Sequence, residues 1–293
     1  MKIRNLCALV FSILPLVTSA QIPDGPYLGQ KPPGSEPKIF APGLVSLPNR
    51  RDLKVVFSPD GQECFIGTVV NHTFTLLYTK LENGHWLEPM QADFLGTQDK
   101  REPFISPDGQ KLFFVGYWAD IWMSTRISGQ WSAPTRLDTP INTGAEEWHP
   151  TVTSDGTLYF CSSRNGPAGG YNIYRSRLEE NHYKQVEKLD STINSPQYGA
   201  WDPFIAPDQS FMIFSSTRPG GFGSADQYIS YLNQRGTWSA PQNLGSAINT
   251  SGIEYGSYVS HDGKYYFFSR PTGWGPDKEA DIYWVDIRSI KRR

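Results

Sequence analysis

Five acidic residues stand at similar places along the chain, each with a charged or aromatic neighbour: Asp52 with Lys54, Glu102 with Arg101, Glu147 with Trp148 and His149, Asp202 with Trp201, and Glu254 with Tyr255. Two carboxyl groups of this kind, one protonated and one ionised, perform glycoside hydrolysis. A separation of about 5–5.5 Å gives retention and roughly 6.5–9.5 Å gives inversion. A lyase would instead use a base such as His149 and a cation, Lys54 or Arg101, to stabilise an enolate. Without chemistry, the same set suits recognition of a polar ligand, because aromatic faces at Trp148, Trp201 and Tyr255 stack on flat polar rings. Five like charges around one mouth would raise some of their pKa values unless cations intervene. Each acid also has a plain structural use, bonding a neighbouring backbone or an internal cation such as Lys54 or Arg101.

A second group is three arginines at one repeat position, Arg164, Arg218 and Arg270, each opening a Gly-rich stretch. They are candidates for an anion-binding trio, or for a repeated job of tying down a loop. Tyr117, Trp118, Phe222 and Trp274 fall in equivalent stretches, where they would wall the mouth or cap blade edges. The five histidines, His72, His85, His149, His182 and His261, show no paired metal-ligand spacing, so no metal is expected. His85 and His261 fall in turns and are expected to be solvated. The chain has no nucleophile-elbow serine, phosphate loop or dinucleotide fingerprint, and no cofactor is expected.

The elements that position these residues follow from a repeated turn. It reads Ser58-Pro59-Asp60-Gly61, Ser106-Pro107-Asp108-Gly109, Thr153-Ser154-Asp155-Gly156, Ala206-Pro207-Asp208-Gln209 and Ser260-His261-Asp262-Gly263, at spacings of 48, 47, 53 and 54 residues. Pro presets φ, Asp bonds its own backbone, and Gly accepts a left-handed conformation. Gln209 is the poor fit, so mild strain is expected there. Apolar strands flank each turn, as in Leu112-Phe113-Phe114 and Tyr266-Phe267-Phe268. A third strand opens with Asp120-Ile121-Trp122, Asn172-Ile173-Tyr174, Asp226-Gln227-Tyr228 or Asp281-Ile282-Tyr283. A fourth carries Trp131-Ser132-Ala133-Pro134 or Trp238-Ser239-Ala240-Pro241, and Pro there suits an outer edge. Four strands in roughly 50 residues make a propeller blade, so the spacing predicts an all-β, five-bladed β-propeller of four-stranded antiparallel blades. Few residues follow the last third strand. Residues 39–47, with Phe40-Ala41-Pro42, are therefore expected to supply the missing outer strand and close the ring.

The string Pro103-Phe104-Ile105-Ser106-Pro107-Asp108-Gly109-Gln110-Lys111-Leu112-Phe113-Phe114 resembles the WD40-like propeller repeats of the TolB type, and the likeness runs over residues 39–286. It implies the propeller fold; similar repeats serve envelope scaffolds, periplasmic binding proteins and polysaccharide-processing enzymes. The extra N-terminal domain of TolB has no counterpart here.

The first twenty residues have the layout of a secretory signal peptide: basic Lys2 and Arg4, an apolar run, then Thr18-Ser19-Ala20. An exported protein, periplasmic or secreted, is expected, with residues 21–38 as an irregular lead-in and 39–293 as one propeller domain. Without Lys2 and Arg4 the basic count falls from 27 to 25 against 29 acids, a formal charge of −4, which gives no reason to expect nucleic acid. No membrane span is expected, because the apolar run is too short. Nine Trp, fifteen Tyr and sixteen Phe favour sheet over helix. Cys64 and Cys161 fall in equivalent strands of different repeats, too far apart to bridge, and read as buried apolar residues. The expected function is a monomeric recognition module holding a polar small molecule, a glycan or an envelope protein at the central mouth; the alternative is a carbohydrate-active enzyme.

Overall fold

Each Asp-bearing turn folds as its sequence dictates. In the computed structural model, which describes residues 22–96, 99–166, 170–273 and 278–290, the Asp carboxylate accepts the backbone N–H two residues on: Gln62 at 3.0 Å, Gln110 at 3.0 Å, Thr157 at 3.0 Å, Ser210 at 3.0 Å and Lys264 at 3.2 Å. Gly61, Gly109, Gly156 and Gly263 take positive φ, and so does Gln209, at 61°. The Gln209 side chain offsets that conformation by donating to Asp155 and accepting from Tyr159 of the preceding blade. Residues 1–21 and Trp274 lie outside the described residues.

The turns join the first two strands of five four-stranded antiparallel blades. Blade one comprises Arg51–Phe57, Glu63–Val70, Thr73–Glu82 and Met90–Gln91. Blade two comprises Arg101–Ile105, Lys111–Val115, Ile121–Ile127 and Thr135–Arg136. Blade three comprises Glu147–Val152, Leu158–Ser162, Asn172–Ser176 and Glu187–Lys188. Blade four comprises Ala200–Ile205, Phe211–Ser216, Asp226–Tyr231 and Gln242–Asn243. Blade five comprises Tyr255–Val259, Tyr265–Pro271 and Ala280–Asp286, with Lys38–Ile39 from the start of the chain as its fourth strand. The inner strands are buried along nearly their whole length, as a strand covered on both faces must be, while the outer strands last two residues and are exposed, apart from the half-buried Gln242–Asn243.

The ring closes in blade five. Lys38 and Ile39 pair with Trp284 and Tyr283, and Phe40 N–H donates to Ile282 O at 2.7 Å. The closing strand is shorter than residues 39–47. Ala41 and Gly43 take positive φ beside Pro42 and turn the chain away; Ser46 then returns to bond Ile282. A parallel bridge, Arg51 to Ala280, makes a second link between blades one and five. Across this seam Phe40 packs edge-on against Phe57, Phe267 and Trp284, and Phe267 stacks on Trp284, with ring centroids 5.1–6.0 Å apart.

The lead-in is part of the packing. Around Pro26–Gly29 the chain takes left-handed backbone at Tyr27 and Leu28, which sets Tyr27 against Phe57, Tyr265 and Trp284. Trp86 donates its indole N–H to Gly25 O at 2.8 Å. This segment lies beneath the turns of blades one and five, in a cleft shared with His261. His261 is therefore not solvated as its turn position suggested: burial pushes its pKa down to about 4. Cys64 and Cys161 are buried free thiols.

Candidate functional site

Every inner strand carries a register shift against its neighbour four residues before the turn: between Asp52 and Lys54, Arg101 and Phe104, Trp148 and Thr151, Trp201 and Phe204, and Tyr255 and Tyr258. A bulge re-aims the side chain at its corner. The corner residues of blades one to five are Lys54, Glu102, His149, Asp202 and Gly256. Glu102, His149 and Asp202 each sit at φ 53°, and Gly256 at 74°. Each of the three corners with φ 53° precedes a proline, Pro103, Pro150 or Pro203, whose missing N–H goes unneeded at the bulge. Gly256 is required there, because a Cβ would lie 2.1 Å from Leu53 O.

Four corner side chains thus meet on the propeller axis. His149 Nδ1 lies 3.0 Å from Glu102 Oε2 and 3.2 Å from Asp202 Oδ1. Ser257 N–H donates to Asp202 Oδ2 at 3.1 Å. The Lys54 ammonium is buried without a hydrogen-bond partner, and its charge acts on Asp202. Burial alone would lower the pKa of His149, but the Glu102 and Asp202 carboxylates outweigh it and raise the value to about 9. Burial would raise Asp202, yet the imidazolium and Lys54 bring it below the ordinary range. The result is two negative and two positive groups in one buried cluster. One ligand atom each from Glu102, His149 and Asp202 lie within 4.8 Å of one another, close enough to hold a cation.

The remaining three acids belong to a different tier, two residues earlier in the repeat. Asp52 meets Arg50 at 2.8 Å and the Leu47 N–H at 3.4 Å; burial nevertheless raises its pKa to about 6. Glu147 accepts from Thr143 N–H at 3.0 Å, Thr143 Oγ1 at 2.8 Å, Ser162 Oγ at 2.8 Å and Arg164 at 3.0 Å. Glu254 accepts from Thr250 N–H at 3.1 Å and Oγ1 at 2.6 Å, with Arg270 at 3.7 Å; burial raises its pKa. Blades two and four place Lys100 and Ala200 at this tier. The single ring of five like charges expected from sequence is therefore two rings, because the bulge separates corner residues from those before it.

The recurrent arginines hold backbone. Arg164 donates to Pro140 O and Ile141 O, Arg218 to Thr192 O at 2.7 Å and Ile193 O at 2.6 Å, and Arg270 to Ala247 O at 3.1 Å and Ile248 O at 2.8 Å. In each case the bonded carbonyls sit at an Ile-Asn pair that sequence reasoning missed. Asn142, Asn194 and Asn249 each accept from and donate to one third-strand residue (Ile121, Ile173 or Gln227), stapling that strand to the loop leading to the next blade. The signal was present in Ile141-Asn142-Thr143, Ile193-Asn194-Ser195 and Ile248-Asn249-Thr250.

Around the axial cluster the top mouth is walled by aromatic and guanidinium groups. Arg101 is sandwiched between Phe74 and Trp148, with Cζ 3.9 and 4.1 Å from their ring centroids. Trp148 donates to Glu146 at 3.3 Å, and Tyr171 donates to the same carboxylate. Arg51 donates to the Tyr255 hydroxyl at 3.1 Å. Trp201 is half-buried beside Gly199. Tyr117, Trp118 and Phe222 stand exposed on the same face, at 49, 77 and 52%.

No family profile matches this chain, and no curated protein matches it in sequence. Its similarity is to solved β-propellers. It aligns with the catalytic domain of a GH62 α-L-arabinofuranosidase from Coprinopsis cinerea at 13% identity and TM-score 0.54, over 86% of this chain and 97% of that one. It aligns with an α-L-arabinofuranosidase from Podospora anserina, solved with cellotriose, at 12% identity and TM-score 0.51, over 86 and 96%. TolB from Acinetobacter baumannii aligns at 16% identity and TM-score 0.48 over 80% of this chain, which spans 57% of the TolB chain. At these identities the likeness is one of fold: an all-β five-bladed propeller. Among the described residues no helix is long and apolar enough to cross a membrane.

Proposed function

We propose that the protein is an exported recognition propeller, its first twenty residues a secretion signal, and that its top mouth holds a glycan. One observation carries this reading: every candidate acid already has a partner within the fold, while Trp148 and Trp201 beside them stay part-exposed. Glu102 and Asp202 share His149, Asp52 has Arg50, and Glu147 and Glu254 hold their own loops. Glu102 and Asp202 both contact the His149 imidazole, at 3.0 and 3.2 Å, so neither stands free as the separate acid and base of a glycosidase pair. Trp148 and Trp201 offer faces for sugar rings, and Arg101 and Glu146 offer groups for hydroxyls.

A carbohydrate-active enzyme is the second reading, favoured by the left-handed backbone at Glu102, His149 and Asp202, since such conformations cluster at active sites. Calorimetry against neutral and acidic oligosaccharides, followed by chromatography for released products, separates the two. Binding without products, abolished in Trp201→Ala, supports recognition. Product release lost in Glu102→Gln transfers the site to catalysis. Absence of both for every glycan overturns the glycan assignment.

A further inference from the structure

The loop between the second and third strands of blade two carries an unusual load. Trp118 is the most exposed of the large apolar side chains there, at 77%, and Tyr117 packs against it edge-on with centroids 4.8 Å apart. Trp118 and Ala119 both take left-handed backbone, φ 65° and 58°. A tryptophan gains nothing from solvent, and this backbone costs of order 1–3 kcal/mol at a non-glycine residue. The loop is nevertheless held from both ends. Gly116 N–H donates to Asp120 O at 2.9 Å, and Arg136 grips the Asp120 carboxylate with two bonds of 2.6 and 2.9 Å. The two rings are thus preorganised outside the core, an arrangement that lowers the ordering cost of binding.

Beside this loop is a cleft of about 300 Å³, between blades one and two, lined by Tyr117, Trp122, Phe114, Leu95, Asp99 and Lys100. Asp99 and Lys100 lead directly into Arg101, which stacks on Trp148 at the mouth. The rim thus lies on the same face as the mouth and is joined to it through the backbone run Asp99-Lys100-Arg101, with Arg101 stacked on Trp148. Two exposed rings are too small a patch for a stable protein partner, which needs roughly 800 Å² on each side. They match a chain of sugars, whose apolar ring faces and hydroxyls alternate.

We infer that Tyr117 and Trp118 form an outer subsite for an extended oligosaccharide whose other end lies in the mouth. This rests on the glycan reading above and adds that the ligand is a chain running over blade two, rather than a single sugar. The test is calorimetry with a series from disaccharide to hexasaccharide of the glycan that binds best. The wild type is expected to gain affinity with length and then level off. Trp118→Ala is expected to lose about tenfold for the longest member and nothing for the shortest, whereas Trp201→Ala loses both. Affinity independent of length, or a Trp118→Ala profile that tracks the wild type, overturns the outer subsite and leaves the mouth reading intact. No binding at any length removes both. Trp118→Phe restoring the length dependence would confirm that a ring face is what the subsite supplies.

Discussion

Raising the pH from 6.5 to 9.5 is expected to destabilise the propeller through His149. The imidazole titrates at about 9 in the fold against about 6.5 in an unfolded chain. A group whose folded pKa is raised contributes stability that is complete below its unfolded pKa and gone above its folded one. The window is therefore pH 6.5 to 9. A difference of roughly two and a half units corresponds to about 3 kcal/mol, an upper figure for so tightly paired a group. The buried thiols Cys64 and Cys161 are raised as well and add a like loss once the unfolded thiols ionise near about pH 8.5; the remaining shifted groups act elsewhere. Asp52, raised to about 6, loses its contribution between about pH 4 and 6, and His261, lowered to about 4, gains its contribution over pH 4 to 6.5. Asp202, already depressed, matters only in stronger acid. The assay is urea denaturation at half-unit intervals from pH 6.5 to 9.5, for wild type and His149→Gln. Up to about pH 8 the wild type should lose stability at no more than about 1.4 kcal/mol per unit, the limit for one proton, while the variant should be flat; above that both share the loss from Cys64 and Cys161. A flat wild-type profile in that lower range, or the same slope there in His149→Gln, would refute the claim that the axial cluster holds a proton at neutral pH.

Asn194→Ala removes three buried hydrogen bonds, to Ile173 N–H, Ile173 O and Leu189 O, and should cost about 2–4 kcal/mol in urea denaturation; a loss under 1 kcal/mol would deny the staple its role. Gly256→Ala places a methyl 2.1 Å from Leu53 O at a positive φ. It should lower the melting temperature more than Gly263→Ala, where the turn is open, and equal effects would count against close packing at the axis.

The fold was legible because its determinants are local. Pro and Gly fix each turn, Asp60 and its equivalents close it, and the apolar strands on either side leave little choice of partner. Closure was legible too, through Phe40-Ala41-Pro42, although Ala41 and Gly43 cut the closing strand short. The site was only half legible. Its residues were all recognisable by type, yet the bulge that turns Glu102, His149 and Asp202 to the axis and leaves Glu147 and Glu254 behind is a backbone event. Its trace in the sequence is a proline following three consecutive corner residues. Covering by a remote segment left no local trace at all: nothing near His261 announces that the chain around Tyr27 lies over it.

The seam in blade five also sets the order of assembly. Ser46 bonds Ile282 at a sequence separation of 236, so blades one to four can form from short-range pairings while the circle stays open. The last event joins the most distant parts of the sequence, and by the relation between contact separation and speed it should be the slow one. Until then the propeller is an arc with two bare edges, and in the finished ring the same join, with its two-residue strand and lone parallel bridge, is where transient opening should begin.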